Sequence, residues 1–186
     1  TAIVSGYATI TAATDRPVAL VIGTAATGTT VTTSALAAVT ALHDCGTFGT
    51  VSWGSADWSA PHVTVCTGPV MSSWLFRKAV GADAHLVAWL EVRAFSGGEV
   101  QVLPWLENGY VAVASPTNKS ATYGFSLNGV TKCAAVAIDI KHHTRIPLIS
   151  STEGSARTFS HWLGTDPGIV PAHDTAYLMA TKLLPN

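Results

Sequence analysis

The chain has 186 residues and a formal net charge of −1, from 10 Lys and Arg against 11 Asp and Glu. It carries no basic tract, so the electrostatic footprint of a nucleic-acid binder is absent. Only 11% of residues are charged, about half the ordinary share. Surface polarity must then come from Thr, Ser and Gly, a composition that suits a subunit burying much of its surface in an assembly.

The longest apolar stretches, "VALVIGTAATG" and "CAAVAIDI", fall well short of the roughly 20 residues a membrane-spanning helix needs. Thr1 follows neither a signal peptide nor an initiating Met, as expected of a processed chain or a fragment of a longer one. Cys45, Cys66 and Cys133 are widely spaced with no CxxC pair. That set argues against a disulfide framework or a structural zinc site, and reduced, mostly buried thiols are expected.

In chain order, short strands are predicted near 2–12, 17–23 and 29–33. "SALAAVTALHD" over 34–44 has Leu36, Val39 and Leu42 at helical spacing and predicts a short helix. Strands are predicted again near 48–53 and 61–67. "HLVAWLEVRAF" then alternates strictly. Leu86, Ala88, Leu90, Val92 and Ala94 form a wholly apolar row facing a core. His85, Val87, Trp89, Glu91, Arg93 and Phe95 form a mixed row that can meet solvent or a partner. "SGG" follows, and "EVQVLPWLEN" alternates again, so the two runs predict a β-hairpin. Pro104 interrupts the second run and predicts an edge strand or a bulge. Further strands are predicted near 109–114, 121–127 and 133–142, separated by the turn signals "NGY", "SPTN" and "LNG". Over 173–184, Ala176, Tyr177, Ala180, Leu183 and Leu184 share a helical side, with Asp174 at the start and Pro185 at the stop. The prediction is one all-β domain over 1–186, a single β-barrel or sandwich of many short antiparallel strands with a short C-terminal helix.

Standard catalytic signatures fail. "TVSWG" lacks the first glycine of GxSxG, and GxxxxGK[ST], GxGxxG and HExxH do not occur. His142 and His143, adjacent on a predicted strand, would point to opposite faces, with Arg145 on the side of His143 as a clamp for an anion. His161, Asp166, His173 and Asp174 cluster near the end without a recognised ligand spacing, so no metal and no cofactor is expected. His161 and His173 are read as loop ties and Asp174 as a helix cap. Of six tryptophans, Trp53 and Trp58 sit in the Gly/Ser/Ala/Asp-rich stretch "SWGSADWSAP", which favours their exposure. Exposed indole faces would suit a sugar surface and buried ones would fill a core.

Three stretches, "GPVMSSWLFRKAV…HLVAWLEVRAFSGGEVQVLPWLENGY", "IKHHTR" and "HWLGTDPGIVPAHDTAYLMATKLLPN", carry a resemblance. They resemble a family of bacteriophage and prophage virion- or tail-associated β-barrel proteins, itself similar to the N-terminal β-barrel region of exo-rhamnogalacturonan-lyase-like proteins. The matching positions are Gly68, Pro69, Ser73, Trp74, His85, Arg93, Glu107, Asn108, His142, His143, Arg145, Trp162, His173, Asp174, Tyr177, Pro185 and Asn186, within residues 68–186. The chain departs from the relatives at Ser73, where they have Glu before Trp, and at "IPLISSTEGSARTFSHW", where they have an Arg-Trp-Arg-Lys segment. No catalytic residue is therefore carried over.

The resemblance implies a non-enzymatic virion structural protein, a tail, baseplate or fibre-attachment subunit. It would contact other virion proteins and copies of itself and assemble in the host cytoplasm. The alternative is a carbohydrate-binding or polysaccharide-lyase-like accessory domain that recognises a host surface glycan, with Trp53, Trp58, His143, Arg145, His161, Trp162 and His173 as candidate contacts. Asp174, Tyr177 and Leu184 are expected to close the fold. Removing a helix cap at Asp174→Ala should cost about 1 kcal/mol in chemical denaturation; little stability change together with loss of glycan binding would assign Asp174 to a ligand instead.

Overall fold

The structure is a computed structural model that describes residues 24, 26–109, 116–149, 160–164 and 180. It is an all-β sandwich of two antiparallel sheets. The smaller sheet has the order β2-β1-β7-β8, from β1 (Ala41–Asp44), β2 (Thr50–Trp53), β7 (Lys119–Leu127) and β8 (Val130–Ile140). The larger has the order β10-β6-β5-β4-β3, from β3 (Val63–Cys66), β4 (Met71–Val80), β5 (Asp83–Phe95), β6 (Val100–Asn108) and β10 (His161–Trp162). β9 (Thr144–Pro147) also pairs with β6, and α1 (Ser55–Trp58) is a single helical turn. Among the described residues the sheets stay separate, so the barrel alternative gives way to the sandwich.

The alternation in β5 and β6 decides which side faces inward. Leu86, Ala88, Leu90, Val92 and Ala94 are all fully buried, and Val100, Val102 and Leu106 of β6 join them. Tyr123, Phe125, Leu127, Val51 and Trp53 of the smaller sheet complete the core. At roughly 25 cal/mol per Å² of apolar surface removed from water, this packing is the main stabilising term.

The turns follow their sequence signals. Asn128 and Gly129 both have positive φ (47° and 75°), the geometry of a two-residue hairpin turn that Asn-Gly favours. Asn128 Oδ1 also accepts the Thr40 N–H at 2.6 Å, tying this turn to the approach to β1. Gly81, between β4 and β5, has φ +56°, and a Cβ there would lie 2.6 Å from the Phe48 carbonyl oxygen.

Several expectations change. The stretch 34–44 is not a helix. Thr33–Leu36 makes one 3-10 turn and Ala41–Asp44 is a strand held between β2 and β7. Leu36 and Val39 are still buried, so helical spacing marked core positions without a helix. No strand occupies 29–32. Pro104 is neither on an edge strand nor at a bulge. β6 has β5 along one side and β9 and β10 along the other, and Pro104 falls in the gap between those two short strands. Its carbonyl accepts the Leu148 N–H at 3.0 Å on that side, so the missing N–H breaks no ladder bond. The predicted strand 133–142 ends at Ile140, and His142 and His143 form a turn. The predicted strands 2–12 and 17–23 lie outside the described residues, as do all of 109–114 but Gly109 and all of helix 173–184 but Ala180.

Gly81→Ala combines positive-φ strain with a backbone clash. It should lower the unfolding free energy by about 2 kcal/mol or more, measured by urea denaturation; an unchanged midpoint would mean that the β4–β5 turn is placed wrongly.

Candidate functional site

Trp53 and Trp58 are not exposed: they are 3% and 2% accessible. The turn of α1 folds Trp58 inward, where its ring stacks on Trp53 and meets Phe76 edge-on. The Trp58 indole N–H donates to the Val39 carbonyl at 3.0 Å, and that of Trp53 to His43 Nδ1 at 3.0 Å. Gly/Ser/Ala/Asp context suggested a loop, but both indoles serve the core and present no sugar platform.

His161 is also interior. Its ring stacks on Phe125, and Nε2 lies 2.8 Å from the Leu148 carbonyl oxygen. His143 sits at φ +65° in the turn after β8, and its N–H donates to the Asn108 carbonyl at 2.6 Å. The expected opposition of His142 and His143 does not occur, because in the turn their rings come to 4.0 Å. Trp162 is half-buried and stacks on Phe95 at 5.7 Å. His173, Asp174, Tyr177 and Leu184 lie outside the described residues, as does Asp166.

Arg145 and Trp162 both belong to strands beside β6 but stand far apart. Arg145 pairs opposite Glu107 and Trp162 opposite Gln101, about 20 Å along the strand at ordinary spacing. Among the described residues the candidate glycan contacts therefore do not converge on one cleft.

What Arg145 does join is a group that sequence reasoning did not single out. Trp89 and Trp105 are directly opposite across β5 and β6 and stack at 5.9 Å with planes 9° apart. The Arg145 guanidinium carbon lies 5.3 Å from the Trp105 centroid and 6.0 Å from that of Trp89. On the other flank, Arg77 of β4 lies 5.2 Å over Trp89. Each such contact contributes about 0.5–1 kcal/mol at an exposed site. Glu107 Oε2 accepts two bonds from Arg145, at 2.9 and 2.6 Å, which fixes the guanidinium over the indoles. Arg77, which is exposed, has no carboxylate partner among the described residues. The indole N–H groups of Trp89 and Trp105 are buried and find no acceptor among the described residues. A depression of about 240 Å³, lined by Leu103, Pro104, Trp105, Arg145 and Pro147, opens beside the cluster.

The same outer face carries a polar chain. Ser73 Oγ donates to Glu91 at 3.0 Å, Arg93 Nε donates to the same carboxylate oxygen at 2.7 Å, and Arg93 reaches Gln101 at 3.3 Å. Gln101 in turn donates to Ser160 Oγ at 2.8 Å. Every polar group here points at another protein group. The chain ties β4, β5 and β6 to one another across the face.

Burial holds His43, Cys45 and Cys133 in their neutral forms. Burial pushes His43 down to about 3, with the Trp89 backbone opposing in part, so its ring is neutral and accepts the Trp53 N–H. Burial, reinforced by the Asp44 charge, pushes the Cys45 thiol up to about 12, and burial also raises Cys133. The cysteines are free, Cys45 and Cys133 buried and Cys66 half-buried. Among the described residues no group of His, Cys, Asp or Glu is placed to hold a metal ion.

Comparison with protein-family models, with curated proteins and with solved structures found no match.

The folded chain disfavours protonated His43, whereas an unfolded imidazole takes up a proton near its ordinary 6.5. The stabilisation is therefore complete above about pH 6.5 and is lost as pH falls toward 3. Between pH 8 and pH 5 this one group should remove about 2 kcal/mol. Denaturation of wild type and His43→Gln at both pH values isolates it; equal pH dependence in the two proteins would show that His43 is not held neutral.

Proposed function

We propose that the chain is a non-enzymatic structural subunit of a bacteriophage virion, in a tail, baseplate or fibre-attachment position, working through protein–protein contacts. The observation that carries the assembly reading is the outer face of the larger sheet. Trp and Arg are the residue types that dominate binding energy in protein interfaces, and here Arg77, Trp89, Trp105 and Arg145 lie in one patch with Leu103 and Pro147. The resemblance of residues 68–186 to virion- and tail-associated proteins supplies the setting, and the sparse charge agrees with extensive burial in an assembly.

The glycan-binding alternative is less well supported. A sugar ring stacks on an open indole face, and guanidinium groups cover Trp89 and Trp105. Trp53 and Trp58 offer no open face at all. The polar residues of the face spend their hydrogen bonds on one another.

Mass spectrometry of particles purified from the encoding host tests this directly. The chain should be present at a fixed ratio to other virion proteins and absent from the unassembled fraction after maturation. Recovery only outside particles, with retention on a glycan array or release of unsaturated sugar from a uronate polysaccharide, would replace this reading with the carbohydrate one.

A further inference from the structure

We propose that the outer face of the larger sheet docks head to tail on the outer face of the smaller sheet of a second copy of this chain. This inference rests on the assembly reading and names the partner surface.

The two faces lie on opposite sides of the sandwich and differ in kind. The larger sheet presents bulky donors: the Trp89–Trp105 pair flanked by Arg77 and Arg145. The smaller sheet presents short side chains over two hollows. One, of about 230 Å³, is lined by Leu42, Asp44, Gly124, Ser126 and Ala135 among others. The second, of about 720 Å³, runs between Gly46 and Asp139 past Ser120, Thr122 and Ala137. A patch of large Trp and Arg side chains on one face and hollows among small residues on the other are complementary in size.

Charge and hydrogen bonding agree. Arg93 and Arg145 are already paired, with Glu91 and Glu107, which leaves Arg77 as the cation of this face without a carboxylate among the described residues. On the smaller sheet Asp139 is paired with Lys141, whereas Asp44 accepts only the Gly46 N–H and meets no cation among the described residues. The hollow beside Asp44 offers carboxylate and hydroxyl oxygens to the Arg77 guanidinium of a second copy. A face-to-face pairing of two larger sheets would instead offer Arg77 no free carboxylate, because Glu91 and Glu107 are already paired with Arg93 and Arg145. The contact is therefore heterologous and generates a ring or a filament. At ordinary strand dimensions the β4–β5–β6–β9 face is about 30 Å by 19 Å, close to what one side of a standard interface requires once side-chain relief is added.

Charge exchange across the contact provides the test. Sedimentation of the wild type should show concentration-dependent assembly above the 19.3 kDa chain. Arg77→Glu and Asp44→Lys are both at exposed positions, and near-UV circular dichroism confirms that each variant is folded. Each alone should weaken assembly about 100-fold. An equimolar mixture of the two variants should assemble again, because every mixed contact sets a carboxylate against a cation. Failure of the mixture to assemble, or variants that assemble like wild type, overturns this pairing of faces. A wild type that stays monomeric at all concentrations overturns self-docking, while the virion reading stands or falls separately on particle composition.

Discussion

The structure depends on β5 being buried along one edge of its pleat and paired along both of its sides. Its inner row, Leu86 to Ala94, is wholly removed from water. Its backbone is bonded to β4 through ten residue pairs and to β6 through nine. A shift of one residue in either ladder would carry this entire row to solvent and bring Glu91 and Arg93 into the core. That penalty fixes the register, and with it the position of every side chain on the outer face. The core of the smaller sheet is then shaped to what β5 presents, including His43 held neutral between Trp53 and Phe125.

Once register is fixed, the outer face is a set of short cross-strand contacts. Ser73, Glu91, Arg93 and Gln101 bond in sequence across β4, β5 and β6, and Arg77, Trp89, Trp105 and Arg145 are laid across these three strands and β9. Most of these groups are held by both their strands and their side chains, Arg77 by its strand and its contact with Trp89. Rigid Trp and Arg side chains lose little further entropy on docking, which favours an interface over a flexible ligand cleft. The interior, by contrast, holds its titratable His43 and Cys45 in their neutral forms. Burial is the main cause for both, reinforced by the Asp44 charge at Cys45 and opposed in part by the Trp89 backbone at His43.

Much of this arrangement was legible in the sequence. Strict alternation gave the β5–β6 hairpin and its inner row, and Asn-Gly marked the β7–β8 turn, because both signals are local. The pairing of Trp89 with Trp105 follows from folding that hairpin about its Ser-Gly-Gly loop, so this half of the candidate site could have been read from "AWL" and "PWL". Arg77 and Arg145 could not, since they arrive from strands whose register depends on long-range pairing. The same limit explains the stretch 34–44, where Leu36, Val39 and Leu42 had helical spacing but β1 is held by partners at 50–53 and 124–127. Trp53 and Trp58 were misplaced because small polar neighbours suggested an exposed loop, whereas a single helical turn capped by the Asp57 carboxylate folds Trp58 inward.

The central claim is that the outer face of the larger sheet is a contact surface. Hydroxyl-radical footprinting of Trp89 and Trp105, read by mass spectrometry in dilute and in assembled protein, tests it most directly. The account predicts that oxidation of both indoles falls on assembly while the buried Trp53 and Trp58 stay unreactive throughout. Assembly that leaves the oxidation of Trp89 and Trp105 unchanged would contradict it.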